Sequence, residues 1–140
     1  MRVHHIGYLI DDIKKSAAEF GRLGFFPKSE IFLDSARQVY IQFLDNNGLT
    51  IELIQTASKE SQFFGLRKKF RNTPYHVCYE VEDLNNAIKK LTASDNNESG
   101  GCVLLHPPQQ APAIEGIPNV AFILNRHIGI IELVEVVAKG

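Results

Sequence analysis

The sequence predicts an α+β fold in which one small βαβββ module is used twice in tandem. Residues 5–20, HIGYLIDDIKKSAAEF, are echoed by residues 76–91, HVCYEVEDLNNAIKKL, which aligns His5 with His76, Tyr8 with Tyr79 and Asp12 with Asp83. A second pair of segments, LDNNGLTIELIQ (44–55) and LNRHIGIIELVE (124–135), sets Glu52 on Glu132, each between an isoleucine and a leucine. In both halves an alternating apolar stretch runs into a helical period, so each module opens as strand then helix.

The elements follow in order. RVHHIGYLI alternates as a strand does, and Asp11 and Asp12 precede a helix whose apolar positions are Ile13, Ala17, Phe20 and Leu23. Gly24 closes that helix, and FFPKSEIFL, QVYIQFL and LTIELIQ read as three strands, with DNNG as the turn between the last two. Module one thus spans residues 2–56. Residues 57–73, ASKESQFFGLRKKFRNT, form a connector with a short amphipathic helix. Module two, residues 74–137, begins with the strand PYHVCYEV and a helix over DLNNAIKKLTAS capped by Asp83, and continues with the strands GCVLLH, PNVAFIL and GIIELVEVV. SDNNESGG (94–101) reads as a polar loop. HPPQQAPAIEGIP (106–118) holds four of the six prolines, which excludes a central strand and marks a long ordered loop or lid.

Composition narrows the function classes. A chain of 140 residues is one ordinary domain, and a net charge of −1 without long basic runs argues against nucleic acid or a membrane surface as partner. No apolar run approaches the ~20 residues of a membrane span. Cys78 and Cys102 have no CxxC spacing, and the N-terminus enters a strand directly, so a cytoplasmic protein with reduced thiols is expected.

The duplicated residues carry the chemistry. Side chains alternate faces along a strand, so His5 shares a face with Gly7 and His76 with Cys78, which leaves room beside each imidazole. Glu52 and Glu132 lie opposite the face of their flanking Ile and Leu; if those pack on the helices, the carboxylates point away from them. Imidazole nitrogen and carboxylate oxygen together suit one divalent ion such as Zn²⁺, Ni²⁺, Co²⁺ or Mn²⁺, with positions left for water or substrate. His5, Glu52, His76 and Glu132 are therefore the candidate metal ligands. A single such residue is usually part of the surface, but recurrence at the same module position favours a site. Arg67, Lys68, Lys69 and Arg71 read first as a solvated face of the connector, with an acidic substrate or CoA phosphates as the functional alternative. His4 points to the opposite face from His5; His106 and His127 have no repeat partner; Tyr8 and Tyr79 read as core.

HHIGYLIDD, IELIQ, PYHVCYEVEDL and GIIELVE together resemble the vicinal oxygen chelate superfamily, and within it the methylmalonyl-CoA epimerase and glyoxalase I branches. The resemblance covers nearly the whole chain and implies a cup-shaped mixed sheet around a metal, whose ligand positions fall on His5, Glu52, His76 and Glu132. It implies proton transfer α to a carbonyl or thioester, with Glu52 and Glu132 as the catalytic carboxylates. The epimerase branch looks closest, although the separate catalytic carboxylate of bacterial epimerases has no counterpart in RQVYIQF, where Tyr40 and Gln42 stand nearest. Partners expected on this basis are a small-molecule substrate, such as a CoA or glutathione thioester or hemithioacetal, and a second copy in a homodimer. The alternatives are a lactoylglutathione lyase (glyoxalase I) reaction on a hemithioacetal, a metal-free sequestering protein of the bleomycin-resistance kind, and an iron dioxygenase. The intact four-residue set speaks against the second, and a fourth protein ligand against the third.

Overall fold

The computed structural model describes residues 1–93 and 101–137; the stretch 94–100, read above as most of a polar loop, lies outside them. The chain divides into two compact units, His5–Tyr75 and Met1–His4 with His76–Gly140.

The first unit is built from β1 (Arg2–Leu9, whose first residues group with the second unit), α1 (Ile13–Gly21), β2 (Phe26–Pro27), β3 (Phe32–Asp34), β4 (Val39–Asn46) and β5 (Leu49–Thr56). Its strands are ordered β2-β4-β5-β1, with β3 also on β4. β1 runs parallel to β5 and the other pairs are antiparallel, a mixed sheet. Asp12 starts α1 by accepting a hydrogen bond from the Lys15 N–H at 3.1 Å. The helix ends through Gly24 at φ +98°, a conformation that favours glycine, while the Phe25 N–H returns to the Phe20 carbonyl at 3.1 Å. Asn47 and Gly48, both at positive φ, make the tight turn of the β4–β5 hairpin. Beneath α1, Ile10, Ile13, Leu44, Ile51 and Leu53 are buried together, each contributing about 1.5–3 kcal/mol of transfer free energy.

FFPKSEIFL is not one strand. Lys28 and Ser29 both donate their N–H to the Phe43 carbonyl, at 2.8 and 3.3 Å, so two residues oppose one. This bulge separates β2 from β3 and shifts their register on β4. The connector forms only a five-residue 3-10 helix, Phe64–Lys68, because Gly65 interrupts a segment already too short to hold a stable α-helix.

The second unit comprises β6 (Thr73–Val81, its first three residues grouping with the first unit), α2 (Leu84–Thr92), β7 (Cys102–Gln110), β8 (Asn119–Asn125) and β9 (Gly129–Glu135), ordered β6-β9-β8-β7. β6 runs parallel to β9, and Asp83 caps α2 through the Asn86 N–H at 2.9 Å. Val81, Leu84, Ala87, Ala121, Ile123, Ile131 and Leu133 form the core under α2. The expectation of a loop from residue 106 is corrected, since β7 continues through Pro107 and Pro108 to Gln110. Those prolines are tolerated because β7 ends the strand order and its register shifts on either side of His106. No helix among the described residues is long and apolar enough to cross a membrane.

Candidate metal centre

In the first unit, parallel pairing sets Gly7 beside Glu52 and Tyr8 beside Leu53. Ile51 and Leu53 belong to the core under α1, so Glu52 faces the other side of the sheet, as do His5 and Gly7. His5 Nε2 lies 3.2 Å from Glu52 Oε1. Both are buried, His5 at 0% and Glu52 at 5% exposure. Phe43, opposite Glu52 on β4, meets the His5 imidazole edge-on, with centroids 5.6 Å apart.

The second unit repeats this with its own residues. Cys78 pairs with Glu132 in β6–β9, and Ile131 and Leu133 are buried under α2, which turns Glu132 to the face of His76 and Cys78. His76 Nε2 lies 3.2 Å from Glu132 Oε1, and both residues are buried. Phe122, opposite Glu132, stands edge-on to His76 at 5.4 Å. The structure therefore brings His5 together with Glu52, and His76 together with Glu132, in two like pairs.

Burying an ionised carboxylate costs several kcal/mol unless an opposite charge compensates it. Each half buries one carboxylate beside one imidazole. Two ligands of one ion, each about 2.0–2.2 Å from it, stand about 2.8–3.6 Å apart at octahedral to tetrahedral angles. A nitrogen–oxygen separation of 3.2 Å fits that spacing in each unit. All four side chains are buried and each offers one ligand atom of a type that divalent ions accept.

Phe43 and Phe122 escaped the sequence reading. The β4–β5 hairpin encloses two residues and the β8–β9 hairpin three, so the repeat is out of step by one upstream of each glutamate. Allowing a one-residue gap there would align the two phenylalanines. Tyr40 and Gln42 pair with Gln55 and Leu53, on the α1 face, and so stand on the opposite face from Glu52. Tyr8 packs edge-on against Phe20 and Tyr79 against the α2 core, as structural residues. In the connector, Arg71 Nε donates to Asp11 Oδ2 at 2.6 Å, Arg67 stands 3.8 Å from the same carboxylate, and Lys69 lies over the Phe70 ring. The Arg71 hydrogen bond, helped by Asn72, holds the Asp11 carboxyl below the usual carboxylate range. His127 is exposed on the β8–β9 turn, whereas His106 lies in β7 opposite Phe122.

Residues 4–100 match the family model described as the glyoxalase/bleomycin resistance protein/dioxygenase superfamily. Mitochondrial methylmalonyl-CoA epimerase of Homo sapiens is 25% identical over 91 residues, 64% of this chain and 52% of that protein, so the match spans about half the length of the curated relative. Among solved structures, methylmalonyl-CoA epimerase from Mycobacterium tuberculosis superimposes with a TM-score of 0.77 at 17% identity, covering 99% of this chain and 89% of that one. A Streptomyces coelicolor methylmalonyl-CoA epimerase variant in complex with 2-nitronate-propionyl-CoA gives 0.74 at 18% identity, over 99% and 96%. These likenesses establish the α+β fold with its mixed sheet.

Proposed function

The chain belongs to the glyoxalase/bleomycin resistance protein/dioxygenase superfamily, and on that premise we propose that it is a metal-dependent enzyme moving a proton α to a carbonyl or thioester, in the manner of a methylmalonyl-CoA epimerase. His5, Glu52, His76 and Glu132 together would hold one divalent ion. The observation that carries this reading is the recurrence, in both units, of a buried histidine Nε2 and glutamate Oε1 at 3.2 Å. The similarity to epimerases, one of them solved with a CoA ligand, supports an acyl thioester as the substrate class.

A divalent ion so held would act as a Lewis acid, easing negative charge onto the substrate carbonyl oxygen. The protein groups do the rest. Glu52 and Glu132 come from separate repeats and are the carboxylates available to take the α-proton and to return it. The edge-on Phe43 and Phe122 rings fix the imidazoles and keep water from their apolar side. Gly7 and Cys78, the residues paired with the two glutamates, are small and leave the carboxylates uncrowded.

The test is exchange of the α-proton of methylmalonyl-CoA with solvent deuterium by the metal-loaded protein. Exchange that stops with chelator supports the reading. Turnover of the methylglyoxal–glutathione hemithioacetal without thioester exchange would move the assignment to the glyoxalase branch.

A further inference from the structure

In the second unit, the cross-strand row that starts at His76 carries three aliphatic side chains and no charge. His76 pairs with Ile130, Ile130 with Leu124 and Leu124 with Val103, over β6, β9, β8 and β7. Residues directly opposite each other share a face, so all three lie on the face of His76 and Glu132. Ile130 is half-buried, whereas Leu124 is 40% and Val103 61% exposed. At ~4.8 Å per strand they form a ledge that runs about 10 Å from β9 to β7, beginning beside a candidate ligand.

The first unit differs at the same positions. Aligning Glu52 with Glu132 sets Thr50 at the place of Ile130, and aligning Phe43 with Phe122 sets Asp45 at the place of Leu124. Thr50 is buried and its hydroxyl accepts a hydrogen bond from Lys28 Nζ at 3.2 Å, while Asp45 is half-buried beside it. Phe26, across from Asp45, is the apolar member of that row. A hydrocarbon laid over Lys28 and Asp45 would strip water from two charged groups, which is unfavourable. Over Ile130, Leu124 and Val103 it would release water from apolar surface, which is favourable. A contiguous exposed apolar patch marks a binding surface. This one is continuous with the row of His76, so its occupant is joined to whatever the metal face holds.

Resting on the acyl substrate of the proposed function, we propose that Ile130, Leu124 and Val103 hold a straight hydrocarbon substituent of the acyl group, several carbons longer than the methyl of methylmalonyl-CoA. With the reacting carbonyl at the face of His76, the substituent extends along the row towards β7. Lys28, Thr50 and Asp45 disfavour it at the equivalent row of the first unit. Each methylene that the ledge covers should tighten binding about fourfold until the ledge is filled.

The test uses protein ¹³C-labelled in its Ile, Leu and Val methyl groups, both Zn²⁺-loaded and metal-free, titrated with hexanoate, octanoate and decanoate. The Leu124 and Val103 signals are assigned through Leu124→Met and Val103→Ala. Both signals should shift saturably in both preparations, with affinity rising about fourfold per added methylene. Leu124→Asp, which copies the first unit's residue to an exposed position, should flatten the dependence on chain length. Unmoved Leu124 and Val103 signals, or an undiminished series in Leu124→Asp, would overturn the assignment. So would a parent chain that sediments as a dimer, a monomeric Leu124→Asp and no response to the alkanoates, which would give the ledge to a second copy. Failure to take up metal or to exchange α-protons would instead count against the proposed function, and the metal-free titration would still decide the ledge.

Discussion

The Phe122 ring meets the His76 imidazole edge-on, at 89° between planes and 5.4 Å between centroids. If His76 is a ligand as proposed, such packing would fix its ring before an ion arrives, and losing the support of a ligand commonly costs 10–100-fold in metal affinity. Phe122→Leu should therefore weaken Zn²⁺ binding by about that factor, while the loss of aromatic volume lowers stability by only about 1–2 kcal/mol. Chelator competition and thermal unfolding of the apoprotein separate the two effects. Unchanged affinity would assign Phe122 to core packing alone.

Glu52→Gln keeps the shape and an oxygen that can face an ion but removes the basic carboxylate. Exchange of the substrate α-proton should fall by about 10²–10⁴-fold, as expected when a general base is lost. Metal content should fall far less. Parallel measurement of deuterium exchange and bound metal checks this; a proportional loss of both would make Glu52 a ligand without a proton-transfer role.

His76→Ala and Glu132→Ala each remove one member of a buried pair on the face away from the α2 core. Both variants should fold and melt cooperatively yet retain little metal after purification in buffer. Full metal content in both would place the ion elsewhere.

Asp11 ties the start of α1 to the connector through Arg71, Arg67 and Asn72. Its carboxyl is held low in the folded protein, chiefly by the Arg71 hydrogen bond, so its contribution is fully present above the unfolded value of about 3.9 and is lost as pH falls through the depressed folded value. Because the pair is partly exposed, that contribution is below about 1 kcal/mol. Melting Asp11→Asn beside the parent chain should show a small deficit near pH 7 that disappears in strong acid. A difference independent of pH would leave the ion pair out of the stability.

The histidines and glutamates were legible in the sequence because strands have a strict period of two. Once Ile51, Leu53, Ile131 and Leu133 are assigned to the helix side, Glu52 and Glu132 have only one face left. Helix starts were legible for a similar reason, since Asp12 and Asp83 occur where orphan N–H groups need an acceptor. What escaped depends on breaks in that period. The bulge at Lys28 and Ser29 splits one apparent strand into two. Twin register shifts carry β7 past two prolines and turn His106 and Gln109 to one face, and no pattern count anticipates where a bulge will fall. Phe43 and Phe122 were hidden by a single extra residue in one hairpin.

His5, Glu52, His76 and Glu132 are proposed to serve one ion. Elemental analysis of the chain after reconstitution with Zn²⁺, Ni²⁺, Co²⁺ or Mn²⁺ and removal of excess metal tests it most directly. About one equivalent of divalent metal per chain is the result expected, since four ligands complete one site. No retained metal with any of the four ions would contradict it.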